Sequence, residues 1–214
     1  MLEFALTLGL ADSINPVTIV VALYLASTPN PVRRLAGYVA GVFGVYLLGG
    51  LLLLFGPASL LRLATHGLDA SVGRVVAVVL GVGAIAFAVV LWLRRDRMAN
   101  TTVPERALRP GSTLALGGAM TAIDLPTAFP LFVIAGAIVH EDLGPPLEAA
   151  LLVLYCAAYV VPLVAILTLR AVGGERGERW LARLRRQMSQ WAPIAIAVLT
   201  AIVGVALIVY GLVR

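Results

Sequence analysis

Charge is scarce in this sequence. Only 13% of its 214 residues are Asp, Glu, Lys or Arg, whereas a soluble globular domain carries about 25%. Hydrophobic residues make up 61% of the chain, and the mean hydropathy is +0.99. The composition excludes an ordinary soluble domain and predicts an all-α integral membrane protein. At this length we expect residues 1–214 to form a single transmembrane domain with no separate soluble part.

Groups that support catalysis or metal binding are also few. Cys156 is the only cysteine, so neither an internal disulfide nor a dithiol relay can form within the chain. His66 and His140 fall in different loops, and no nucleotide-binding motif, nucleophile–base arrangement or metal-ligand spacing occurs. We therefore expect a protein that is not an enzyme and that binds no cofactor and no metal.

Long apolar runs, by contrast, are abundant. A run of roughly 20 residues crosses the ~30 Å hydrocarbon layer of a bilayer as a helix. The sequence contains six such runs, which predict spans near residues 4–27, 37–56, 72–93, 113–139, 147–169 and 191–213. The intervening segments are rich in proline, glycine and charge, which is typical of loops.

The arginines are distributed unevenly among these loops, and all 16 basic residues are arginine. Cytoplasmic loops of membrane proteins carry the excess of basic residues, so the first, third and fifth loops are predicted to be cytoplasmic and both termini extracytoplasmic. Anionic lipid headgroups are the expected partner of these loops, and nucleic acid is not. The arginines of these three loops are Arg33, Arg34, Arg94, Arg95, Arg97, Arg106, Arg109, Arg170, Arg176, Arg179, Arg183, Arg185 and Arg186.

Two similar segments, GLADSINPVT (Gly9–Thr18) and GAMTAIDLPT (Gly118–Thr127), lie about 110 residues apart inside apolar runs. Each places an acid, Asp12 or Asp124, near mid-span and a proline shortly after it. A charge at this depth costs about 2.5–3.5 kcal/mol even on lenient scales, and proline removes a backbone hydrogen bond that lipid cannot replace. Spans 1 and 4 are therefore predicted to be broken helices at a polar site.

The duplication predicts two inverted three-helix repeats, because an odd number of spans per half reverses the second half in the membrane. Repeat one is expected at 1–95, a cytoplasmic linker at 96–112 and repeat two at 113–214. Two further similarities support this interpretation. Residues 79–95 align without gaps on 198–214, and Tyr46 and Tyr159 occupy similar places in the second helix of each half.

The polar residues of the two segments are the candidate substrate- or ion-binding site. A buried carboxylate there could bind a cation or take up a proton. Alternatively, Asp12 and Asp124 could cap the half-helices that resume after each break. In the alignment Asn15 matches Asp124 and Asp12 matches Thr121, so we expect the two acids to differ in role. The candidate residues are Asp12, Ser13, Asn15, Pro16, Thr18, Thr121, Asp124, Pro126 and Thr127.

Three further features are open to two interpretations. Pro130 and Pro162 could break their spans or only kink them. Tyr38, Tyr46, Tyr155 and Tyr159 could line a polar cavity or anchor span ends at the interface. Apolar residues at helical spacing in residues 175–191, between surface arginines, predict an amphipathic helix on the cytoplasmic surface, either a lipid anchor or a moving gate.

The six-span pattern with two proline-broken helices resembles the lysine exporter superfamily, and the segment Asp12–Thr18 resembles the bacterial glycolipid-addressing (GAP) family. The same segment is also similar to the opening of the CcdA/DsbD thiol-disulfide conduits. Val17 occupies the position of their cysteine, however, so the redox function is not expected here. The resemblance implies export of a small or lipid-linked substrate across a bacterial inner membrane.

The sequence thus predicts a multi-pass secondary transporter of the bacterial plasma membrane, coupled to protons or another cation. An accessory protein for glycolipid export is the alternative, and a thiol-disulfide conduit is less favoured. The expected partners are the lipid bilayer and a small-molecule, ion or lipid-linked substrate. Small carriers of this size often dimerise, so a homodimer is expected as well.

Overall fold

The computed structural model describes residues 1–56, 82, 89, 110–125 and 128–213. Beyond Met188 the side chains of the last helix are described only in part. All regular secondary structure within these residues is helical, as the composition predicted. The helices are α1 (Leu2–Asp12), α2 (Pro16–Ala26), α3 (Pro31–Phe55), α4 (Pro110–Asp124), α5 (Phe129–Glu141), α6 (Pro145–Val172) and α7 (Gly174–Val213).

The chain divides into two compact units. The first comprises Met1–Ala58 and Val103–Arg185 and contains α1 to α6 with the beginning of α7. The second comprises Ser59–Thr102 and Arg186–Arg214, of which the structure describes Val82, Val89 and the later part of α7. The predicted third span and the linker near 96–112 fall mainly outside the described residues. The predicted single domain and its repeat boundary therefore stay predictions.

Membrane-spanning length is reached in two ways. The helices α3 and α6 are each long and apolar enough to cross a bilayer. The pairs α1–α2 and α4–α5 reach that length only when each bent pair counts as one span, with bends of 66° and 76°. The described residues therefore supply up to four spans, and the protein is a multi-pass membrane protein. The predicted breaks in spans 1 and 4 are confirmed.

Close helix packing in the first unit depends on glycine. The helix α3 packs along α4, and α1 packs along α6. At Gly41 of α3, an added Cβ would overlap the backbone carbonyl of Leu114 in α4. At Gly9 of α1, it would lie 2.7 Å from the carbonyl oxygen of Tyr155 in α6. Small residues allow this approach, and in lipid such packing is a main source of helix association.

Several helix boundaries differ from the sequence prediction. Pro31 and Pro145 are the first residues of α3 and α6. The helix α3 therefore begins six residues earlier than predicted, and α6 begins two residues earlier. Proline fits a first turn because its missing N–H would have no helical partner there. Pro130 also lies in the first turn of α5, whereas Pro162 lies inside an unbroken α6.

The segment predicted as a separate amphipathic helix continues directly into the last helix, and both are part of α7. Only Gly173 separates α6 from α7, and Gly174 adopts a positive φ of 50° that suits glycine. Of the apolar residues predicted to share one stripe, Leu181 is buried while Trp180 and Trp191 are exposed. The predicted apolar stripe is therefore divided between a packed face and an outer face.

Candidate functional site

The site begins at the break between α1 and α2. Pro16 is the first residue of α2 and has no N–H to continue the α1 ladder. The Asn15 side chain caps α2, since its Oδ1 accepts hydrogen bonds from the backbone N–H groups of Val17 at 3.0 Å and Thr18 at 3.5 Å. Asp12 is the last residue of α1. Asn15, and not Asp12, therefore performs the capping of α2.

Asp12 is instead bound by two tyrosines from other helices. The hydroxyl of Tyr155 on α6 donates to Asp12 Oδ2 at 2.7 Å, and the hydroxyl of Tyr46 on α3 donates to the same oxygen. Bonds from a hydroxyl to a carboxylate are of this short, charge-assisted kind. Tyr155 is fully buried and Tyr46 is 2% exposed, so both phenols reach the carboxylate from the protein interior. The bonds join α1, α3 and α6 at one oxygen.

A stack of aromatic rings extends from this carboxylate. The rings of Tyr46 and Tyr159 are nearly parallel, with centroids 4.2 Å apart and an interplanar angle of 6°. The rings of Tyr46 and Tyr155 lie 6.1 Å apart at 17°. Tyr38 is also fully buried, and its hydroxyl donates to the Thr18 carbonyl at 3.4 Å. All four predicted tyrosines are thus interior residues, and the interface-anchor interpretation is wrong for them.

The second acid joins the same network. Asp124 is the last residue of α4, and its carboxylate lies close enough to the Asn15 side chain to interact with it electrostatically. Tyr159, which stacks on Tyr46, lies near Asn15 and Thr18 and within the electrostatic influence of both acids. Asp12 and Asp124 therefore adjoin the same cluster, which contains Asn15 and the stacked tyrosines.

The remaining candidate residues play different local parts. The Ser13 hydroxyl donates to the Leu10 carbonyl at 2.6 Å, and the Thr18 hydroxyl donates to the Asn15 carbonyl at 3.0 Å. Thr121 is 1% exposed, and its hydroxyl finds no hydrogen-bond partner among the residues that the structure describes. Pro126 and Thr127 lie outside the described residues. Within the described ranges, no group of three or more His, Cys, Asp or Glu residues could hold a metal ion.

The sequence pattern missed the residues that bind Asp12. The sequence predicts Tyr46 and Tyr155 only as possible cavity residues, because nothing in a single sequence pairs a tyrosine with an acid 34 or 143 residues away. The matching positions of Tyr46 and Tyr159 in the two halves were the one usable signal, and these two rings stack directly.

Comparison with known proteins gives one result. A family model described as Sap, sulfolipid-1-addressing protein, matches residues 5–213. The chain belongs to this family. The family is one of the glycolipid-addressing (GAP) group, which confirms that resemblance and leaves the likeness to the CcdA/DsbD scaffold without support. Searches of the curated proteins and of the solved structures found no match to this chain.

Proposed function

We propose that this protein is a secondary transporter that moves a lipid-linked substrate across the membrane, coupled to binding of protons or another cation at Asp12 and Asp124. The observation that carries the proposal is the position of Asp12. It stands at a helix break inside a span, bound by buried tyrosines of two other helices. An ionisable group inside a span is costly and typically marks an ion or substrate pathway.

Helix dipoles add to the negative character of this site. Asp12 ends α1 and Asp124 ends α4, and the C-terminus of a helix carries about half a negative charge. A carboxylate at that end is electrostatically unfavourable unless positive charge is nearby. The two half-helix ends, which adjoin the Asn15 side chain, therefore favour a cation or a proton. Half-helix C-termini bind coupling ions in other secondary transporters.

Paired contacts support two inverted repeats as the framework of the transporter. An added Cβ at Gly9 would lie 2.8 Å from Ala158 Cβ, and one at Gly118 would lie 3.1 Å from Val45 Cγ2. Gly9 and Gly118 align in the duplicated segments. Ala158 and Val45 each directly precede the aligned residues Tyr159 and Tyr46. Equivalent contacts between equivalent helices are what pseudo-twofold symmetry produces.

Membership of the sulfolipid-1-addressing protein family supports a lipid as the substrate class. The same membership favours a second candidate function, in which the protein assists a larger glycolipid export system without moving solute itself. The proposal assigns the chain no enzymatic step. Both candidate functions place it in a bacterial plasma membrane with its termini outside.

A reconstituted proteoliposome assay tests the transporter proposal. An internal pH-sensitive dye would follow proton uptake, and a fluorescent short-chain glycolipid quenched by external dithionite would follow substrate movement. We expect Asp12→Asn and Asp124→Asn each to abolish coupled flux. Asp142→Asn is the matched control, because Asp142 is an exposed acid that follows α5, outside the network, and its variant should transport normally.

Two outcomes would contradict coupled transport. Flux that survives both carboxamide substitutions would show that the intramembrane acids carry no coupling charge. Absence of flux in the parent protein, combined with glycolipid traffic in cells that depends on the protein, would favour the accessory function.

A further inference from the structure

The far end of α2 is held by arginines of α6 and α7. The guanidinium Nε of Arg170, near the end of α6, donates to the carbonyl of Ala26, the last residue of α2, at 3.1 Å. The same guanidinium pairs with Glu178 of α7 at 3.3 Å. The guanidinium of Arg185 lies 4.8 Å from the ring centroid of Tyr24, two residues before the end of α2. We call these three contacts the α2 latch.

The latch uses one face of α7. Glu178, Leu181 and Arg185 are three and four residues apart, which places them on the same side of a helix. Leu181 between the two charged residues is 2% exposed. This part of α7 is therefore packed against the protein, and its charged residues reach the end of α2 along the packed side.

The other end of α2 is part of the candidate site. The helix has 11 residues and begins at Pro16 with the Asn15 cap, whose side chain lies near Asp124. At ~1.5 Å per residue, α2 is a rigid rod about 16 Å long. It is joined to α1 only through the bend of 66° at residues 13–15. Hinges of this kind absorb the backbone rotation when a rigid element moves.

We propose that the α2 latch keeps the first broken span closed and that its release lets α2 swing about residues 13–15, opening the Asn15–Asp124 side of the site towards the arginine-rich end. Arg170 and Arg185 are positioning residues in this device, because they act on the site through α2. As a gate for substrate the device rests on the proposed transport function. The opening itself can be measured without transport.

The latch contacts are weak enough to open on a transport cycle. A cation–π contact at a partly exposed site changes an equilibrium about two- to fivefold. The Glu178 side chain is 59% exposed, so its pair with Arg170 is screened by water and salt. Loss of Arg185 alone should therefore raise the open population by about two- to fivefold.

Cys156 can report opening, because it lies on α6, against which α2 packs. It is the only cysteine, is fully buried, and follows Tyr155, the residue that binds Asp12. A buried thiol is alkylated in proportion to the population in which it becomes accessible. The experiment measures the rate of N-ethylmaleimide labelling of Cys156 in proteoliposomes, with Cys156→Ser as the blank.

We expect Arg185→Ala to label about two to five times faster than the parent. Arg185→Lys should fall between them, because lysine keeps the charge and loses the planar stack on Tyr24. Arg183→Ala is the matched control, since Arg183 is an exposed arginine two residues away on the same helix. High salt should raise the labelling rate of the parent, because it screens the Arg170–Glu178 pair. The labelling rate of Glu178→Gln, which lacks that pair, should not change with salt.

The latch is overturned if Arg185→Ala labels at the parent rate, or if Arg183→Ala accelerates labelling equally. An unchanged melting temperature separates local opening from unfolding of the bundle. If Arg185→Ala labels faster than the parent but neither protein shows proton or glycolipid flux, the transporter proposal is refuted and the latch proposal stands. Flux that depends on Asp12, with labelling unaffected by Arg185, would refute the latch alone.

Discussion

The hydrogen bond between Tyr155 and Asp12 is the contact whose removal tests the site most directly. Tyr155→Phe removes the hydroxyl that donates to Asp12 Oδ2 at 2.7 Å and leaves the buried ring in place. We expect the variant to fold and to be less stable, because the half-buried carboxylate loses one of its two donors. Asp12→Asn tests the same bond from the acceptor side.

The structure gives an estimate of the coupling between these two changes. A hydrogen bond to a charged group contributes about 1.5–3 kcal/mol, and a neutral one about 0.5–1.5 kcal/mol. In the Asp12→Asn background the Tyr155 hydroxyl keeps a neutral acceptor. A double-mutant cycle should therefore give a coupling free energy of about 1 kcal/mol, the difference between the two kinds of bond.

The assay is reversible unfolding in mixed detergent micelles, followed by circular dichroism for the parent, both single variants and the double variant. Tyr159→Phe provides the matched cycle with Asp12→Asn. Tyr159 belongs to the same stack, but it makes no direct hydrogen bond to Asp12 among the described contacts. That cycle should therefore give a smaller coupling free energy than the Tyr155 cycle.

Two results would refute the reasoning. Zero coupling between Tyr155 and Asp12 would mean that the bond does not stabilise the folded protein. Equal coupling in the two cycles would mean that Asp12 responds to the tyrosine stack as a whole and not to a specific donor.

Three further predictions concern packing and local hydrogen bonding. Gly41→Ala should prevent stable folding, since its Cβ would overlap the Leu114 carbonyl. Gly44→Ala places its Cβ in open space and should stabilise α3 by up to about 1 kcal/mol. Melting curves in detergent distinguish the two variants, and equal melting temperatures would contradict the α3–α4 packing. Asn15→Ala should cost about 0.5–2 kcal/mol through loss of the α2 cap. Asn15→Ser should retain that stability but reduce coupled flux, because serine keeps a capping oxygen and removes the amide that lies near Asp124; flux equal to the parent would exclude a role for that amide. Thr121→Val should raise stability by about 1 kcal/mol by removing a buried hydroxyl without a described partner, and a lower melting temperature would show that the hydroxyl is bonded in the folded protein.

The breaks in spans 1 and 4 were predictable because their causes are local. Proline lacks an N–H and fixes its own backbone angle, and the preceding Asn15 supplies a cap for a new helix at Pro16. Proline alone does not force a break, since Pro162 lies inside the unbroken α6. The apolar length of α3 and α6 is likewise a property of composition along the chain. Helix starts were less accurate, because prolines predicted as loop residues are first-turn residues of α3 and α6.

The partners of the two acids were not predictable in the same way. Sequence indicated that Asp12 and Asp124 needed polar surroundings, but capping and ion binding satisfied that requirement equally well. Packing of α6 against α1 and α3 brings Tyr155 and Tyr46 to the Asp12 carboxylate. It also left the cap of α2 to Asn15.

A helical membrane protein, the two broken spans and the acids at the breaks follow from local sequence, because hydrophobic length, proline and its neighbouring cap residue act through neighbours in the chain. Helix packing in the folded protein sets which side chains meet those acids, and it brings the arginines of α6 and α7 to the end of α2. These contacts join residues far apart in sequence. Their formation depends on how closely glycine lets the helices approach, which no short segment encodes.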